Sequence, residues 1–227
     1  MPSQIQLENV SQSFSSQTGN VTLFEHLNLV IKQGHSYAIT GPSGAGKSSL
    51  LMILAGLTPP STGEGTYLTG AQSQPLSAMK MDIGFVFQQF HLLPELDALN
   101  NIALPMKLRG DKDALEKAAH WLHKVGLGQR GQHKPSELSG GEQQRVAIAR
   151  ALVFNPKFIF ADEPTGNLDK HNAEQVTELL FACCQSQQAG LVIVTHSDLL
   201  ARRTDYHYAL DGGQLRCANR MRSVKSA

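Results

Sequence analysis

The nine residues 41–49 have the composition of a loop that holds phosphate groups. They read GPSGAGKSS, which fits the pattern G-x-x-x-x-G-K-[ST], and they follow an apolar run and precede a helix-forming one. Glycines let backbone N–H groups wrap around phosphate oxygens, a lysine can reach the β- and γ-phosphates, and a hydroxyl can bind Mg²⁺. The pattern predicts a nucleotide-binding loop, with Ser48 as a metal ligand, formed by Gly41, Pro42, Ser43, Gly44, Ala45, Gly46, Lys47, Ser48 and Ser49.

A second glycine-containing turn lies at residues 138–145, which read LSGGEQQR and lead into the helix-forming run VAIARALV. The first turn of a helix presents unpaired N–H groups and the positive end of the helix dipole, and adjacent glycines allow a ligand to approach closely. Such a turn is an anion site. The sequence therefore predicts two phosphate-type sites in one chain, the second formed by Ser139, Gly140, Gly141 and Glu142.

Two carboxylates end the apolar run FIFA at residues 158–161. A nucleotide-bound Mg²⁺ needs an acidic group at such a strand end, and a second carboxylate could activate the attacking water. We predict that Asp162 holds the metal through water and that Glu163 is the general base. The alternative is a solvated strand end with no chemistry, which the phosphate loop in the same chain disfavours.

Gln88 and His196 each follow an apolar run and could complete the site. The imidazole of His196 can donate from one nitrogen and accept at the other, so it could bind a γ-phosphate or the attacking water. The Gln88 amide could contact Mg²⁺ and that water. Taken alone, a histidine at a strand end is more often structural than catalytic, and because Gln89 adjoins Gln88, spacing alone does not choose between the two amides. His120 and His123 lie three apart with no apparent third ligand, so no metal site is predicted there.

The elements that must position these residues follow from the apolar runs. Continuous apolar strands are typical of a parallel sheet covered on both faces, and ligands gather at the carboxyl ends of such strands. One nucleotide site could then use every polar residue that follows a run. The predicted strands are residues 36–40, 84–87, 158–161 and 191–194.

The pattern changes to helical periodicity after Gln88. Residues 111–127 predict a helix whose apolar face is Leu115, Ala118, Ala119, Leu122 and Val125. A second helix is predicted at 143–153, with Val146, Ala149, Leu152 and Val153 pointing inward and Arg145 and Arg150 elsewhere. Turn-forming or polar residues dominate 58–82 and 212–227.

Composition bounds the class of protein. The 227 residues carry 20 Lys+Arg and 19 Asp+Glu, so the net charge of +1 gives no indication of general nucleic-acid binding. The three cysteines, Cys183, Cys184 and Cys217, fit neither a zinc spacing nor a disulfide framework, and we expect buried thiols in a reducing compartment. No signal peptide or membrane span is predicted, so a membrane role would require a partner.

Taken in order, the segments GPSGAGKSS, VFQQ, LSGGEQQR, FIFADEPTGNLD and VTHS resemble the nucleotide-binding subunit of an ATP-binding-cassette (ABC) transporter over nearly the whole chain. The segments ADEPTGNLD and FHLLPELDALNNIALPM are most similar to the lipoprotein-releasing and macrolide-exporter branch. The resemblance implies an α/β P-loop NTPase (RecA-like) core with a mostly parallel sheet, an N-terminal antiparallel β region and an inserted helical subdomain. One domain over 1–227 would comprise a core of 1–88 and 155–227 and a helical subdomain of 89–154.

The resemblance also implies what the site does. ATP, with Mg²⁺, would be hydrolysed between two copies arranged head to tail, the phosphate loop of one and the signature turn 138–145 of the other enclosing each nucleotide. Gln88 would be the Gln-loop residue and His196 the switch histidine, and Asp169 would contact the other subunit. Phe14 would stack on adenine, although it could instead be a core strand residue.

A membrane partner is the further implication. Integral permease-type subunits would hold the chain, as a homodimer or paired with a related subunit, on the cytoplasmic face of the inner membrane. The apolar run FHLLPEL at 90–96 could dock on such a partner or fold into the chain's own core. A regulatory ATPase that switches an envelope partner without moving a substrate is the alternative. A soluble ATPase of translation or repair is disfavoured, because such relatives usually carry two cassettes or a long coiled coil.

Overall fold

The computed structural model describes residues 2–16 and 19–220, in which mainly strands precede three consecutive helices and strands and helices alternate after them. The strands are β1 (Gln4–Ser16), β2 (Gly19–Lys32), β3 (Ser36–Thr40), β4 (Thr62–Thr69), β5 (Gln72–Pro75), β6 (Ile83–Val86), β7 (Phe158–Asp162), β8 (Gly190–Val194), β9 (Tyr206–Asp211) and β10 (Gln214–Arg220). The α-helices are α1 (Lys47–Leu54), α2 (Ala98–Leu108), α3 (Ala114–Lys124), α4 (Gly140–Leu152), α5 (Lys170–Ser186) and α6 (Asp198–Ala201).

The strands form two sheets. The first is antiparallel, in the order β2-β1-β4-β5. The second has the order β10-β9-β3-β8-β7-β6, and all its neighbours are parallel except β10 and β9. The four apolar runs are the parallel strands β3, β8, β7 and the edge strand β6, so the mostly parallel sheet and the N-terminal antiparallel region are both confirmed.

Two apolar cores cover the faces of the parallel sheet. One contains α1 and the inner face of the antiparallel sheet, with the side chains of Phe24, Leu50 and Phe160 fully buried. The other contains α2, α3, α4 and α5 against the opposite face, with Ile102, Val146 and Leu180 buried. Covering on both faces explains why these strands are continuously apolar, as parallel strands usually are.

The helix predicted at 111–127 forms as α3, but its buried face differs from the prediction in two residues. Leu115 is 47% exposed and Ala119 is only half-buried, whereas Ala118 and Leu122 are buried. Ala114 and Trp121 are buried instead, because the row of Ala114, Ala118, Trp121 and Val125, spaced by three or four positions, faces the core and Leu115 and Ala119 lie to one side of it. The helix predicted at 143–153 begins earlier, at Gly140, and its four predicted apolar residues are buried.

One further expectation was wrong. Cys183 and Cys184 are buried on α5, as expected, but Cys217 is exposed, because it lies on the edge strand β10. The two segments that are rich in turn-forming or polar residues also contain strands. Residues 58–82 include β4 and β5, which pair in the antiparallel sheet, and residues 212–227 include β10, while 221–227 fall outside the described residues.

Candidate nucleotide site

The loop at 41–49 connects the end of β3 to the start of α1, and its glycines are needed where the backbone is tight. At Gly41 an added Cβ atom would lie 2.1 Å from the Leu210 carbonyl oxygen, so no other residue fits. Gly46 has φ 91° and caps α1, and Gly44 has φ 81°. These left-handed conformations favour glycine, and they bring backbone N–H groups to the N-terminus of α1.

Lys47 is buried at the first position of α1, with its side chain turned back onto the loop. Its Nζ atom donates to the carbonyl oxygens of Gly41 and Pro42, at 2.9 Å each. Burial lowers the pKa of Lys47, and the charges of Glu163 and Asp162 raise it in opposition. The cation is therefore held where phosphate groups would lie against the loop.

Glu163 and His196 meet Lys47 at the carboxyl edge of the sheet. The Glu163 backbone has φ 45°, and its N–H donates to the Val194 carbonyl at 2.9 Å, which turns the side chain toward β8. His196 Nε2 lies 3.4 Å from Lys47 Nζ and 3.3 Å from Glu163 Oε1. That nitrogen can accept from Lys47 when it carries no proton or donate to Glu163 when it does.

The Glu163 carboxylate is oriented through one of its two oxygens. Its Oε1 atom is buried and, apart from the 3.3 Å approach of His196 Nε2, has no hydrogen-bond partner among the described residues. Its Oε2 atom accepts from the backbone N–H of His196 at 3.3 Å. A carboxylate oriented through one oxygen and unsatisfied at the other can take a proton from a water molecule placed beside it.

Oxygen ligands suited to Mg²⁺ are present at the ends of three elements. The exposed Ser48 hydroxyl lies in the first turn of α1, the Asp162 carboxylate ends β7 close enough to raise the pKa of Lys47, and the exposed Gln88 amide follows β6. Mg²⁺ prefers hard oxygen donors and keeps several waters when it is bound with nucleotide phosphates. The donor set therefore fits this ion.

Sequence reasoning missed the residue that holds Gln88. Asn167 Nδ2 donates to the Gln88 carbonyl oxygen at 3.0 Å, and Gln88 Nε2 donates to Asn167 Oδ1 at 3.3 Å. This reciprocal pair joins the loop after β6 to the loop after β7. Asn167 was visible in the segment GNLD, but nothing in the spacing indicated that its partner is 79 positions away.

The second glycine turn is a capped helix N-terminus. Ser139 caps α4, since its Oγ atom accepts from the Glu142 N–H at 3.3 Å and the Glu142 carboxylate accepts from the Ser139 N–H at 2.8 Å. Gly141 lies against α5, where an added Cβ atom would be 2.6 Å from Asn172 Oδ1. Asp169 caps α5 and accepts from the backbone N–H of Asn172 at 3.0 Å.

The two predicted anion sites are separate within the described chain. No hydrogen bond or ion pair joins the turn at 139–142 to the loop at 41–49 in residues 2–16 and 19–220. The loop faces Glu163 and His196, whereas the turn packs beside Leu168 and Asn172.

Arg150 is a second residue to which the sequence analysis gave no role beyond its place off the apolar face of the helix. On α4, its guanidinium donates to the carbonyl oxygens of Phe90 at 2.8 Å and His91 at 2.6 Å. Both residues have left-handed backbones, with φ 58° and 46°. Left-handed non-glycine residues are unusual and need support from their surroundings. Arg150 thus ties the loop after Gln88 to the helix that starts at the glycine turn.

Phe14 and the run at 90–96 have mixed surroundings. Phe14 is 50% exposed, so it is not a core strand residue. It pairs with Val21 on β2. The same strand passes close to the phosphate loop, because the Cβ atom of its Leu23 would lie 2.9 Å from a Cβ added to Gly46.

The apolar run at 90–96 lies at the boundary between core and surface. Leu92 packs against the core that contains α2, α3, α4 and α5, while Leu93 is 42% exposed. Part of the run therefore folds inward and part faces outward.

No helix in the described part of the chain is long and apolar enough to cross a bilayer.

Comparison with known proteins identifies close relatives. The family profile described as "ABC transporter" matches residues 24–166. The lipoprotein-releasing system ATP-binding protein LolD of Bdellovibrio bacteriovorus is 44% identical over 213 residues, covering 91% of this chain and 97% of that protein. LolD of Koribacter versatilis is 45% identical over 212 residues, covering 90% and 95%.

Solved structures give the same result. A dimeric structure of the ATP-binding cassette MJ0796 in a post-hydrolysis state, bound to ADP and Pi, has a TM-score of 0.82 and 34% identity, covering 95% of this chain and 99% of that chain. A second dimeric structure of MJ0796, described as a bacterial ABC transporter cassette, has the same TM-score and 35% identity. The chain therefore belongs to the ABC transporter family and is an ATP-binding cassette of that family, an ATPase.

Proposed function

We propose that the chain drives a membrane complex of the lipoprotein-releasing type by hydrolysing ATP, with Mg²⁺, between two cassettes arranged head to tail. The observation that carries the arrangement is the separation of the glycine turn at 139–142 from the chain's own phosphate loop. A capped helix N-terminus with two glycines is suited to an anion. A twofold dimer would supply each such turn with the nucleotide held by the other subunit's Lys47.

The phosphate loop binds and orients the substrate. The Lys47 ammonium group would exchange the Gly41 and Pro42 carbonyls for oxygens of the β- and γ-phosphates, since charged acceptors bond it more strongly than neutral ones. Ser48, Gln88 and Asp162 would hold Mg²⁺, which neutralises charge on the phosphates when bound. The exposed ring of Phe14 would stack on adenine.

Hydrolysis requires a base and a donor at the γ-phosphate. Glu163 Oε1 accepts the proton of a water whose oxygen forms a bond to the γ-phosphorus, while the bond from phosphorus to the β-γ bridging oxygen breaks and ADP leaves. His196, 3.3 Å from that carboxylate oxygen, is placed to donate to a γ-phosphate oxygen. The products are ADP and inorganic phosphate.

The name of the relatives supports the membrane partner, and the half-exposed Leu93 supplies a surface for it. Asp169, at the start of α5 and close to the glycine turn through Asn172, would face the other cassette. We propose a location on the cytoplasmic face of the inner membrane, held there by integral permease-type subunits.

Affinity capture of tagged Glu163→Gln from detergent-solubilised membranes with ATP tests this proposal. We expect a specific integral membrane protein to co-purify, identified by mass spectrometry, and to be depleted when Leu93→Asp is added. Val21→Asp, which changes a similarly exposed apolar residue on the antiparallel sheet, is the matched control and should retain the partner. Recovery of the ATP-bound dimer without a membrane protein would contradict the proposal and favour a regulatory ATPase.

A further inference from the structure

The glycine turn carries a negative charge at the place where the proposed function brings a polyanion. Glu142 is the third residue of α4, and its carboxylate is committed to the turn by the 2.8 Å bond from the Ser139 N–H. That bond, together with Arg130, holds the pKa of Glu142 below its usual range, so the group is ionised at neutral pH. A carboxylate beside an incoming triphosphate would repel it.

Arg130 offsets this charge from another part of the chain. Its Nε atom lies 3.2 Å from Glu142 Oε1, the carboxylate oxygen that does not accept from Ser139. The Glu142 side chain is 21% exposed and that of Arg130 is 48% exposed. One oxygen of Glu142 therefore caps the helix and the other binds a cation.

The segment that carries Arg130 is fixed at several points. The Arg130 N–H donates to the Leu127 carbonyl at 2.8 Å, and its Nη1 atom lies 3.1 Å from His133 Nε2. The carbonyls of Gly131 and His133 accept from the first backbone N–H groups of α2, at 2.9 Å each. The guanidinium is thus delivered to Glu142 by a segment bonded to another helix, which makes the ion pair more than a chance surface contact.

We propose that Arg130 is a positioning residue that neutralises Glu142, so that the turn at 139–142 can receive the triphosphate bound by the second subunit. This inference rests on the proposed head-to-tail function. It predicts that the contribution of Arg130 depends on a negative charge at residue 142. It differs from a direct contact between Arg130 and phosphate, whose contribution would not depend on residue 142.

A double-mutant cycle separates these cases. In the Glu163→Gln parent, which should accumulate the ATP-bound dimer, we would measure the ATP concentration that gives half-maximal dimer by light scattering. Arg130→Met should raise that concentration roughly tenfold, as expected for an uncompensated charge near a phosphate. In a chain that also carries Glu142→Gln, which keeps a capping oxygen without the charge, Arg130→Met should change it less than about twofold.

Three controls exclude loss of structure. Lys117→Met removes a cation that is also 48% exposed and that pairs with Asp111. It should leave the ATP concentration for half-maximal dimer unchanged. Arg130→Lys should restore most of the affinity. The affinity of the monomer for ATP and its melting temperature without nucleotide should be the same for the parent and Arg130→Met, because an exposed ion pair contributes little to stability.

Two outcomes would overturn the inference. In the first, the parent dimerises, and Arg130→Met raises the ATP concentration for half-maximal dimer by the same factor whether or not the chain also carries Glu142→Gln. Charge compensation would then not be the role of Arg130. A parent that stays monomeric at saturating ATP would contradict the proposed sandwich, and this inference with it.

Discussion

Lys47 lies buried with its ammonium group bonded to the carbonyls of Gly41 and Pro42, so its charge stays beside the backbone that would wrap the phosphates. This placement depends on the exact path of the loop. Gly41 fixes that path from one side, because the Leu210 carbonyl oxygen occupies the space that any side chain would need.

Gly41→Ala should lower the free energy of unfolding by about 3 kcal/mol and abolish ATP binding, because the new methyl group would displace the β3 end of the loop. Gly44→Ala is the matched control. Gly44 also has a left-handed backbone, but no atom lies within 4 Å of an added Cβ, so the cost should be about 1 kcal/mol. Urea unfolding and calorimetric ATP titration would measure both; equal losses for the two variants would contradict this account.

Candidate functional residues could be predicted where the residues that act together are adjacent in the sequence. The loop at 41–49, the pair Asp162 and Glu163 and the turn at 139–142 were each read from a short segment, and their catalytic and binding roles stay predictions. Asn167, Arg150 and Arg130 were not singled out for any role, because each acts through a partner that is distant in the sequence. Only the fold shows which polar side chain reaches which loop.

At the scale of elements, α4 connects two parts of the site. Its N-terminus is the glycine turn, and near its C-terminus Arg150 holds the left-handed pair Phe90 and His91. A shift of α4 would therefore move the loop that follows Gln88. The link consists of hydrogen bonds from Arg150 to two carbonyl groups of a turn with left-handed backbone.

Arg150→Met should lower the free energy of unfolding by about 2 kcal/mol and increase amide exchange in residues 88–92, since two charge-assisted hydrogen bonds are lost. Arg145→Met, on the same helix, removes only a 3.4 Å contact to Gln175 and should cost less than about 0.5 kcal/mol. Adding His91→Gly to Arg150→Met should recover part of the loss, because glycine accepts the left-handed backbone. Unchanged exchange in Arg150→Met would contradict the proposed clamp.

Asp169 caps α5, and the bonds from Asn172 hold its pKa below the usual range. A carboxylate whose folded pKa is lowered stabilises the fold above its unfolded pKa of about 3.9 and loses that effect as the pH falls through the folded pKa. The melting temperature of the nucleotide-free chain should therefore exceed that of Asp169→Asn at about pH 7. A difference that persists unchanged to about pH 2 would contradict this assignment.

Elements were predictable where the apolar pattern is strong. The parallel strands β3, β6, β7 and β8 followed from continuous apolar runs and the helices α3 and α4 from helical periodicity, whereas α2 was not predicted. Pro105 lies inside α2 and polar Asn101 is fully buried, both of which weaken a helical pattern. Asn101 is buried because its amide bonds the carbonyls of Leu93, Leu96 and Asp97, a requirement that exists only once the preceding loop has folded.

At the scale of the whole molecule, the two segments that we propose to bind phosphate have different surroundings within one chain. The phosphate loop lies beside His196 at the carboxyl edge of the parallel sheet, and the glycine turn lies beside Leu168 and Asn172. The solved cassettes that this chain resembles are dimers. A head-to-tail pair would bring the two segments together twice, once on each side of a twofold axis.

Mixing two defective chains tests this central claim most directly. Lys47→Ala disables the phosphate loop, and Ser139→Asp adds a negative charge to the glycine turn, so each chain alone should hydrolyse little ATP. In a mixed dimer one site would combine the intact loop of one chain with the intact turn of the other. With random pairing, about half of the dimers are mixed, and one of the two sites in each mixed dimer is intact. The mixture should therefore regain roughly one quarter of the wild-type phosphate release. A mixture no more active than the mean of its two components would contradict the shared site.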